Sequence, residues 1–259
     1  MLLALDVGNT NICIGCIDGE KILFVGRLST DRSKTADEYA ISFNSIIRLH
    51  GYNPSLIDGS IISSVVPPIN QALRDAVIRL TGTTPLLVGP GVKSGLNILL
   101  DNPGQAGSDL VVDAVAAIAQ YPKPLIVIDM GTATTLSVIN ERGDYLGGLI
   151  LPGVKISQDT LTGRTSQLPR IALEAPPHVI GRNTIDCMKS GAIFGQAAML
   201  DGLIERVEEE LGQKTTVIAT GGLAGCIVPH CKREIIYDND LLLKGLRIIY
   251  EKNRPDAKR

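Results

Sequence analysis

The stretch LALDVGNTN at residues 3–11 follows a plan that the chain uses again in IVIDMGTAT at residues 126–134. Each copy has a short apolar run, an aspartate, a glycine two residues later, and then polar residues. A second apolar run follows in both copies, at 12–17 and at 136–139, and turn residues end it. This pattern predicts two copies of one β-hairpin with an acidic turn, and therefore two similar domains.

Helical and strand patterns around the two hairpins indicate an α/β fold. Apolar residues recur at helical spacing in some segments, and short apolar runs mark further buried strands. The predicted helices lie at 36–49, 69–80, 111–119, 184–211 and 240–250, and the strands at 59–65, 125–129 and 216–219. Because strands lead each half and helices follow them, we expect mixed sheets flanked by helices and a cleft between two domains. The predicted domains are 1–118 and 119–259, with the terminal helix able to pack back across the boundary.

Composition and charge exclude several classes of protein. The chain has 259 residues, of which 44% are hydrophobic and 20% charged, so it is neither disordered nor collagen-like. The 25 Lys and Arg against 27 Asp and Glu leave a net charge of −2, which favours a small-molecule partner over nucleic acid. The apolar run at 2–5 is too short for a signal peptide, and no apolar stretch is long enough to span a membrane. We therefore expect a cytoplasmic protein.

The first acidic turn offers groups that suit a phosphate and a hydrated metal ion. Asp6 places a carboxylate at a strand end, Gly8 lets the backbone approach a ligand, and residues 9–11 offer amide and hydroxyl donors. A magnesium ion held at Asp6 through water would complete a phosphate site. A capped hairpin turn explains a single copy of the motif equally well. The second copy, which continues as DMGTATT at 129–135, favours phosphate binding.

A third glycine cluster, ATGGLA at 219–224, follows a predicted strand and precedes a possible helix. Gly221 and Gly222 would allow a base and a ribose to lie against the backbone, although a plain turn is the alternative. The sequence has no P-loop pattern, and residues 89–95 miss the dinucleotide-binding glycine spacing by one position. We therefore expect the acidic turns, rather than a P-loop or a Rossmann motif, to bind a nucleotide.

Asp109 follows NPGQAGS at 102–108 and precedes an apolar helical run. Its simplest interpretation is an N-cap or first-turn acid that complements the helix dipole. A carboxylate aimed across a cleft at a substrate hydroxyl could instead be the general base of phosphoryl transfer. Thr184, in GRNT at 181–184, is likewise first of all part of a helix N-terminus, and a substrate contact only if the cleft includes it.

The two acidic turns and the later Thr-Gly-Gly resemble the superfamily of actin, hexokinase and acetate kinase. A narrower resemblance is to the type III pantothenate kinase family, whose motifs occur in order at 6–11, 107–109, 129–135, 151–154 and 181–184. The resemblance implies two actin/ribonuclease-H-like domains. It also implies ATP-dependent phosphorylation of pantothenate to 4'-phosphopantothenate, the first step of coenzyme A biosynthesis, by a homodimer whose second domain forms most of the contact.

The resemblance also implies roles for individual residues. Asp109 would be the proton acceptor, Thr132 an ATP contact, and Gly221 and Gly222 neighbours of adenosine. Asp129 would hold a monovalent cation, K⁺ or NH₄⁺, in addition to the Mg²⁺ expected at Asp6. The first phosphate loop would comprise Asp6, Val7, Gly8, Asn9, Thr10, Asn11, Ile12 and Cys13, and the pantothenate contacts would be Leu100, Gly107, Ser108, Asp109, Leu110 and Thr184.

Two positions depart from the family pattern. Leu110 stands where the family has Arg, and Leu100 stands where the family often has Tyr. The missing guanidinium would hold the substrate carboxylate, a contact worth roughly 1.5 to 3 kcal/mol. Two alternatives to pantothenate phosphorylation therefore stay open: a kinase of another small hydroxyl compound, and a nucleotide-binding regulatory protein without catalysis. The presence of Asp6, Asp109 and Asp129 favours catalysis.

Overall fold

The structure, a computed structural model, describes residues 1–254 and contains two compact units. Unit 1 comprises Met1–Leu96, Asn102–Ala116 and residues 240–254, and unit 2 comprises Asn97–Asp101 and Ala117–Asn239. The predicted domains, 1–118 and 119–259, divide the chain differently. They assign residues 97–101 to the first domain and the C-terminal helix to the second.

Each unit contains one five-stranded mixed sheet, and the two sheets share one strand order. The strands of unit 1 are β1 (Leu2–Val7), β2 (Asn11–Asp18), β3 (Lys21–Ser29), β4 (Gly59–Ser64) and β5 (Leu86–Leu87), in the order β3-β2-β1-β4-β5. The strands of unit 2 are β6 (Leu125–Met130), β7 (Ala133–Ile139), β8 (Tyr145–Pro152), β9 (Thr216–Thr220) and β10 (Ile236–Tyr237), in the order β8-β7-β6-β9-β10. In both sheets the first three strands are antiparallel and the last two run parallel to the first. The repeated topology confirms the two similar α/β domains that the duplicated motif predicts.

Seven α-helices accompany the sheets in the described part of the chain. They are α1 (Ala36–Leu49), α2 (Asn70–Thr81), α3 (Ser108–Gln120), α4 (Val154–Gly163), α5 (Thr184–Leu211), α6 (Ala224–Ile227) and α7 (Leu241–Asn253). The apolar periodicity predicts the bounds of α1 and α5 to the residue. It does not predict α4, because Ile156 and Leu161 of that helix are exposed and only Val154 is a buried apolar residue. No helix within residues 1–254 has the length and apolar character needed to cross a bilayer.

Unit 1 has a hydrophobic cluster on each face of its sheet. Helices α1 and α2 cover one face, and α3 and α7 cover the other. On the second face Leu246 of α7 packs in one cluster with Leu2 and Val112. A Cβ at Gly245 would collide with the Val112 carbonyl oxygen, so the glycine lets α7 approach α3 closely. The C-terminal helix therefore completes the core of unit 1.

Unit 2 packs the long helix α5 against its sheet, where Ile193 and Leu200 share a cluster with Ile128 of β6. Near the C-terminus of α5 the Glu208 carboxylate is buried. It accepts hydrogen bonds from Lys214 and Thr215, which lie just before β9, and from Arg233, which lies just before β10. Burial alone raises the pKa of Glu208, but these hydrogen bonds and the Arg233 charge together hold it below its ordinary value. The buried ion network thus ties the end of α5 to the sheet.

Candidate functional site

Four side chains of unit 1 form a row across its sheet near the carboxyl end of β1. Asp6 lies opposite Cys13 of β2, and Cys13 lies opposite Arg27 of β3. On its other side Asp6 is paired with Ser63 of β4. Residues paired directly across strands point to the same face, and Cys13 packs with the cluster that α3 and α7 cover. Strand pairing thus gathers a carboxylate, a thiol, a guanidinium and a hydroxyl on that face.

The first acidic turn lies immediately beyond this row. The Gly8 N–H donates to the Asn11 carbonyl oxygen at 3.0 Å, and the Thr30 hydroxyl donates to the Gly8 carbonyl oxygen at 2.6 Å. The Thr30 N–H in turn donates to the Thr10 carbonyl oxygen at 2.9 Å. Residues 9–11 are exposed. The loop backbone is therefore tied to the start of the segment after β3 while its polar residues face solvent.

Arg27 is a residue that sequence analysis misses. Burial raises the pKa of the Cys13 thiol to about 11, the charge of Asp6 adds to the shift, and the charge and hydrogen bond of Arg27 oppose it. A β-bulge between Cys16 and Ile17 shifts the register of β2 and β3 by one residue. Without the bulge, Cys13 would face the glycine at 26, so only the observed register brings the guanidinium beside the acidic turn.

Asp109 is the second residue of α3, and the start of this helix is tied to the end of β4. The Ser63 hydroxyl donates to Ser108 Oγ at 3.0 Å, and the Ser108 hydroxyl donates to the Ser64 carbonyl oxygen at 3.2 Å. Since Ser63 is paired with Asp6, this tie brings the segment 107–109 to the row that contains Asp6. The fold thereby places Asp6 and Asp109 at the same end of the sheet of unit 1.

The Asp109 carboxylate has a defined orientation. The Leu110 N–H donates to Asp109 Oδ1 at 2.9 Å. A Cβ at Gly107 would lie 2.5 Å from the same oxygen, so the glycine leaves the space that the carboxylate fills. Burial raises the pKa of Asp109 above its ordinary value, and the N–H groups of Leu110 and Asp109 oppose that shift without cancelling it. A fixed carboxylate with a raised pKa is suited to accept a proton.

The second acidic turn, in unit 2, is one residue tighter than the first. Only Gly131 and Thr132 join β6 to β7, and the Gly131 N–H donates to the Ala133 carbonyl oxygen at 3.0 Å. Thr132 is exposed at the tip of this turn. Asp129 lies directly opposite Thr135 of β7. The two copies of the motif therefore share the hairpin and the position of the aspartate but differ in loop length.

Two glycines bring other segments of unit 2 to this turn. Gly221 has a φ of +92°, and a Cβ there would collide with Asp129 Oδ1. A Cβ at Gly153 would collide with the carbonyl oxygens of Gly131 and Thr132. The glycine cluster after β9 therefore lies beside the Asp129 carboxylate, and the start of α4 lies against the turn.

The oxygen atoms at Asp129 and its strand partner are suitable ligands for a hard cation. The Thr135 hydroxyl is buried and has no hydrogen-bond partner among the described residues, and it belongs to the residue paired with Asp129. Carboxylate and hydroxyl oxygens are ligands for K⁺ or Mg²⁺ rather than for a soft metal. Within residues 1–254 no three His, Cys, Asp or Glu side chains are grouped to hold a metal ion. An ion here would therefore need additional oxygen ligands such as water or phosphate.

A cavity of about 700 Å³ opens at the start of α5 in unit 2. Asn183 caps this helix by accepting the Asp186 N–H at 2.9 Å, and Thr184 is its first residue. The lining includes Gln158 and Leu161 of α4 together with Gly181, Arg182, Asn183, Thr184 and Cys187. The predicted substrate contact Thr184 therefore lines a cavity large enough for a small organic molecule.

The other predicted substrate contacts are distributed over both units. Gly107, Ser108 and Leu110 belong to unit 1, whereas Leu100 belongs to unit 2. Leu100 packs beside Gly147 of β8, and Leu110 is half-buried at the start of α3. The Ser108 hydroxyl is already engaged with β4.

The chain matches the family model described as type III pantothenate kinase over residues 2–206. Type III pantothenate kinases from a species of Exiguobacterium and from Moorella thermoacetica are 47% and 44% identical to it over 254 and 253 residues, which is 98% of this chain and all of each relative.

Among solved structures, the inorganic polyphosphate/ATP-glucomannokinase of Arthrobacter sp. strain KM and the ROK hexokinase of Thermus thermophilus each match with a TM-score of 0.51. They are 15% and 14% identical, with coverage of 98% and 96% of this chain and 99% and 97% of theirs. This likeness shows the fold alone, a two-domain actin-like architecture.

Proposed function

The chain belongs to the type III pantothenate kinase family, and from that premise we propose which of its residues carry out the reaction. It is a phosphotransferase that phosphorylates pantothenate with ATP in coenzyme A biosynthesis. One observation carries the assignment of residues: the hydrogen bonds from Ser63 through Ser108 to Ser64 hold Asp109 at the same end of the sheet as Asp6.

Asp109 is the general base in this proposal. Its carboxylate takes the proton from the primary hydroxyl of pantothenate as the hydroxyl oxygen forms a bond to the γ-phosphorus of ATP. The bond between that phosphorus and the β–γ bridging oxygen breaks, and ADP leaves. The raised pKa and the fixed orientation of Asp109 support this role, because both favour proton transfer to the carboxylate.

The nucleotide is assigned to the predicted loops. Residues 6–13 and Thr132 contact its phosphates, Gly221 and Gly222 lie near adenosine, and Arg27 adds a guanidinium beside the first loop. A single carboxylate with substrate phosphates and water is a usual environment for Mg²⁺, which fits Asp6. When bound there, Mg²⁺ would neutralise charge on the phosphate oxygens. The exposed polar groups of residues 9–11 support the assignment.

A monovalent cation, K⁺ or NH₄⁺, is assigned to Asp129. Support comes from the oxygen atoms available at the site. The Thr135 hydroxyl, on the residue paired with Asp129, is buried and has no hydrogen-bond partner among the described residues. Such an ion would reduce repulsion between the phosphates and Asp129. Replacing K⁺ by Na⁺ in the assay should then lower turnover without unfolding the protein.

For the acceptor side we propose that Gly107, Leu110, Leu100 and Thr184 contact pantothenate. The cavity at the start of α5, which Thr184 lines, supports a role for that residue. Leu110 offers only apolar contact. We therefore expect weaker binding of the pantothenate carboxylate than a guanidinium at position 110 would give, by roughly tenfold to a hundredfold.

A homodimer is proposed as the working form, in the cytoplasm, where ATP is available for biosynthesis. Val179 and Ile180, which precede the lining residue Gly181, are 65% and 82% exposed. Exposed apolar groups of this kind are typical of an interface between subunits. Sedimentation of the purified protein should give a dimer, and Ile180→Asp should give a monomer.

The decisive test measures the product directly. Purified protein is incubated with ATP, Mg²⁺ and pantothenate, in K⁺ and separately in Na⁺, and phosphopantothenate is measured by mass spectrometry. The proposal expects product in K⁺ and much less in Na⁺. Turnover of another hydroxyl compound in place of pantothenate would reject the acceptor, and full turnover by Asp109→Asn would reject the base.

A further inference from the structure

We propose that Ser63 and Ser108 are positioning residues whose hydroxyls orient Asp109 for proton transfer. The inference rests on the proposed function, in which Asp109 is the base. It assigns to Ser108 a role different from the pantothenate contact that the family resemblance implies for its position.

The hydroxyls of Ser63 and Ser108 form a short chain of two hydrogen bonds, called the relay below, in which each hydroxyl donates to the next oxygen. Each serine hydroxyl has one proton to donate. Ser63, whose exposure is 0%, donates its proton to Ser108 Oγ at 3.0 Å, and Ser108 donates its own to the Ser64 carbonyl oxygen at 3.2 Å. The Ser108 proton is therefore used within the protein and is not offered to a substrate.

The relay acts where the orientation of Asp109 is decided. The Asp109 carboxylate occupies the space left by Gly107 and accepts the N–H of Leu110. Both features depend on the backbone path of residues 107–110, and Ser108 is the residue through which this path is fixed to β4. Neither serine is required to touch a reacting atom.

The relay also sets Asp109 against the first phosphate loop. Ser63 is the direct partner of Asp6 in the parallel pair of β4 and β1. Any movement of the Ser108 backbone away from β4 therefore changes the position of Asp109 relative to Asp6. A displacement of about 1 Å at a reacting group can reduce the rate on the order of a hundredfold.

The test compares Ser108→Ala, Ser63→Ala and the double variant with the wild type. We expect Ser108→Ala to lower kcat by roughly tenfold to a hundredfold while the KM for ATP stays within about twofold. Ser108→Thr, which keeps a hydroxyl, should recover most of the rate. The double variant should be no slower than Ser108→Ala, because residues of one network are not additive.

Ser45→Ala is the matched control. The Ser45 hydroxyl also donates to a backbone carbonyl, that of Ile41 at 2.8 Å, but on the exposed side of α1. This control should keep the wild-type kcat. An unchanged kcat in Ser108→Ala would overturn the proposal, as would additive losses in the double variant or a loss confined to the KM for ATP.

Crystal structures of the wild type and of Ser108→Ala provide a readout that does not depend on activity. The proposal expects one Asp109 rotamer in the wild type and a different or divided orientation in the variant. The same Asp109 rotamer in both structures would overturn the proposed positioning role, whatever activity the variant shows. A wild type that phosphorylates no alcohol would reject the proposed function, and the two crystal structures would still decide the relay.

Discussion

Asp109 shows that a residue suited to catalysis can reduce the stability of the fold. Its pKa lies above the ordinary value of 3.8 because the carboxylate is partly buried. A raised folded-state pKa means that the ionised carboxylate is less favourable in the folded chain than in the unfolded chain. The penalty is absent at pH values below the unfolded pKa and grows as the pH rises through the folded pKa.

Asp109→Asn should therefore lose activity and gain stability. We expect turnover to fall by roughly a hundredfold to ten-thousandfold, while calorimetry still detects ATP binding. The Tm should rise at pH 7 and stay at the wild-type value near pH 3, where the aspartate of the wild type is already protonated. Asp159→Asn, at an exposed position, is the control and should change neither quantity. A Tm at pH 7 equal to that of the wild type would contradict the argument.

Gly221 tests the link between the glycine cluster and the second acidic turn. An alanine there would adopt a positive φ and would also collide with Asp129 Oδ1. We expect Gly221→Ala to lower the free energy of unfolding by about 1 to 3 kcal/mol and to raise the KM for ATP about tenfold.

The matched control for this change is Gly212→Ala at the C-cap of α5. Gly212 has a φ of +67° and open space around the missing Cβ. This variant should lose about 1 kcal/mol of stability and keep its KM for ATP. Equal kinetic effects in the two variants would show that backbone strain alone, and not displacement of Asp129, is responsible.

At the scale of elements, the bulge in the β2–β3 hairpin decides which side chain stands beside the phosphate loop. It pairs Cys13 with Arg27 and extends the row that begins at Asp6. The Cys13 thiol stays neutral at physiological pH and therefore does not form an ion pair with the guanidinium. Arg27 supplies the positive charge of this row. A cation at this position would favour the negative charge of a bound triphosphate.

Arg27→Met should weaken nucleotide binding. Removing a charge-assisted contact should raise the KM for ATP by roughly tenfold to a hundredfold, with a smaller effect on the KM for pantothenate. Lys21→Met is the control, since Lys21 is an exposed cation on the same strand, at its far end. Steady-state kinetics with ATP varied at saturating pantothenate distinguish the two. An unchanged KM for ATP in Arg27→Met would remove this residue from the nucleotide site.

At the scale of the whole molecule, the C-terminal helix belongs to the unit formed by the N-terminal half of the chain. Its buried leucines complete the cluster on the face of the sheet that also carries Asp6 and Cys13. Loss of this helix would expose that face. The stability of unit 1 therefore depends on residues from the last part of the described chain.

Leu246→Ala tests this dependence, because Leu246 is 0% exposed. We expect the free energy of unfolding to fall by about 2 to 5 kcal/mol, measured by urea denaturation. Leu49→Ala, at a position that is 84% exposed, removes the same atoms and should change stability by less than about 0.5 kcal/mol. Equal losses in the two variants would refute the contribution of α7 to the core.

Much of the fold could be predicted from local sequence patterns. The duplicated Asp-x-Gly hairpin predicts two similar α/β units, and apolar periodicity gives the bounds of α1 and α5. The structure departs from these patterns at α4, which exposes most of its apolar residues. The terminal helix α7 packs in unit 1, across the predicted domain boundary, as the sequence analysis allows. Periodicity shows which face of a helix is apolar but does not identify the surface that covers it.

The sequence by itself determined the family, the repeated hairpins and the chemical types of Asp6, Asp109 and Asp129. Only the tertiary structure decided that Arg27 faces Cys13 and that the Ser108 hydroxyl is bound to β4. The physical reason is the range of the interactions. Hairpins and helices follow from residues a few positions apart. The strand register after a bulge, and a hydrogen bond between a helix and a strand that are distant in sequence, depend on how the whole sheet and its helices pack.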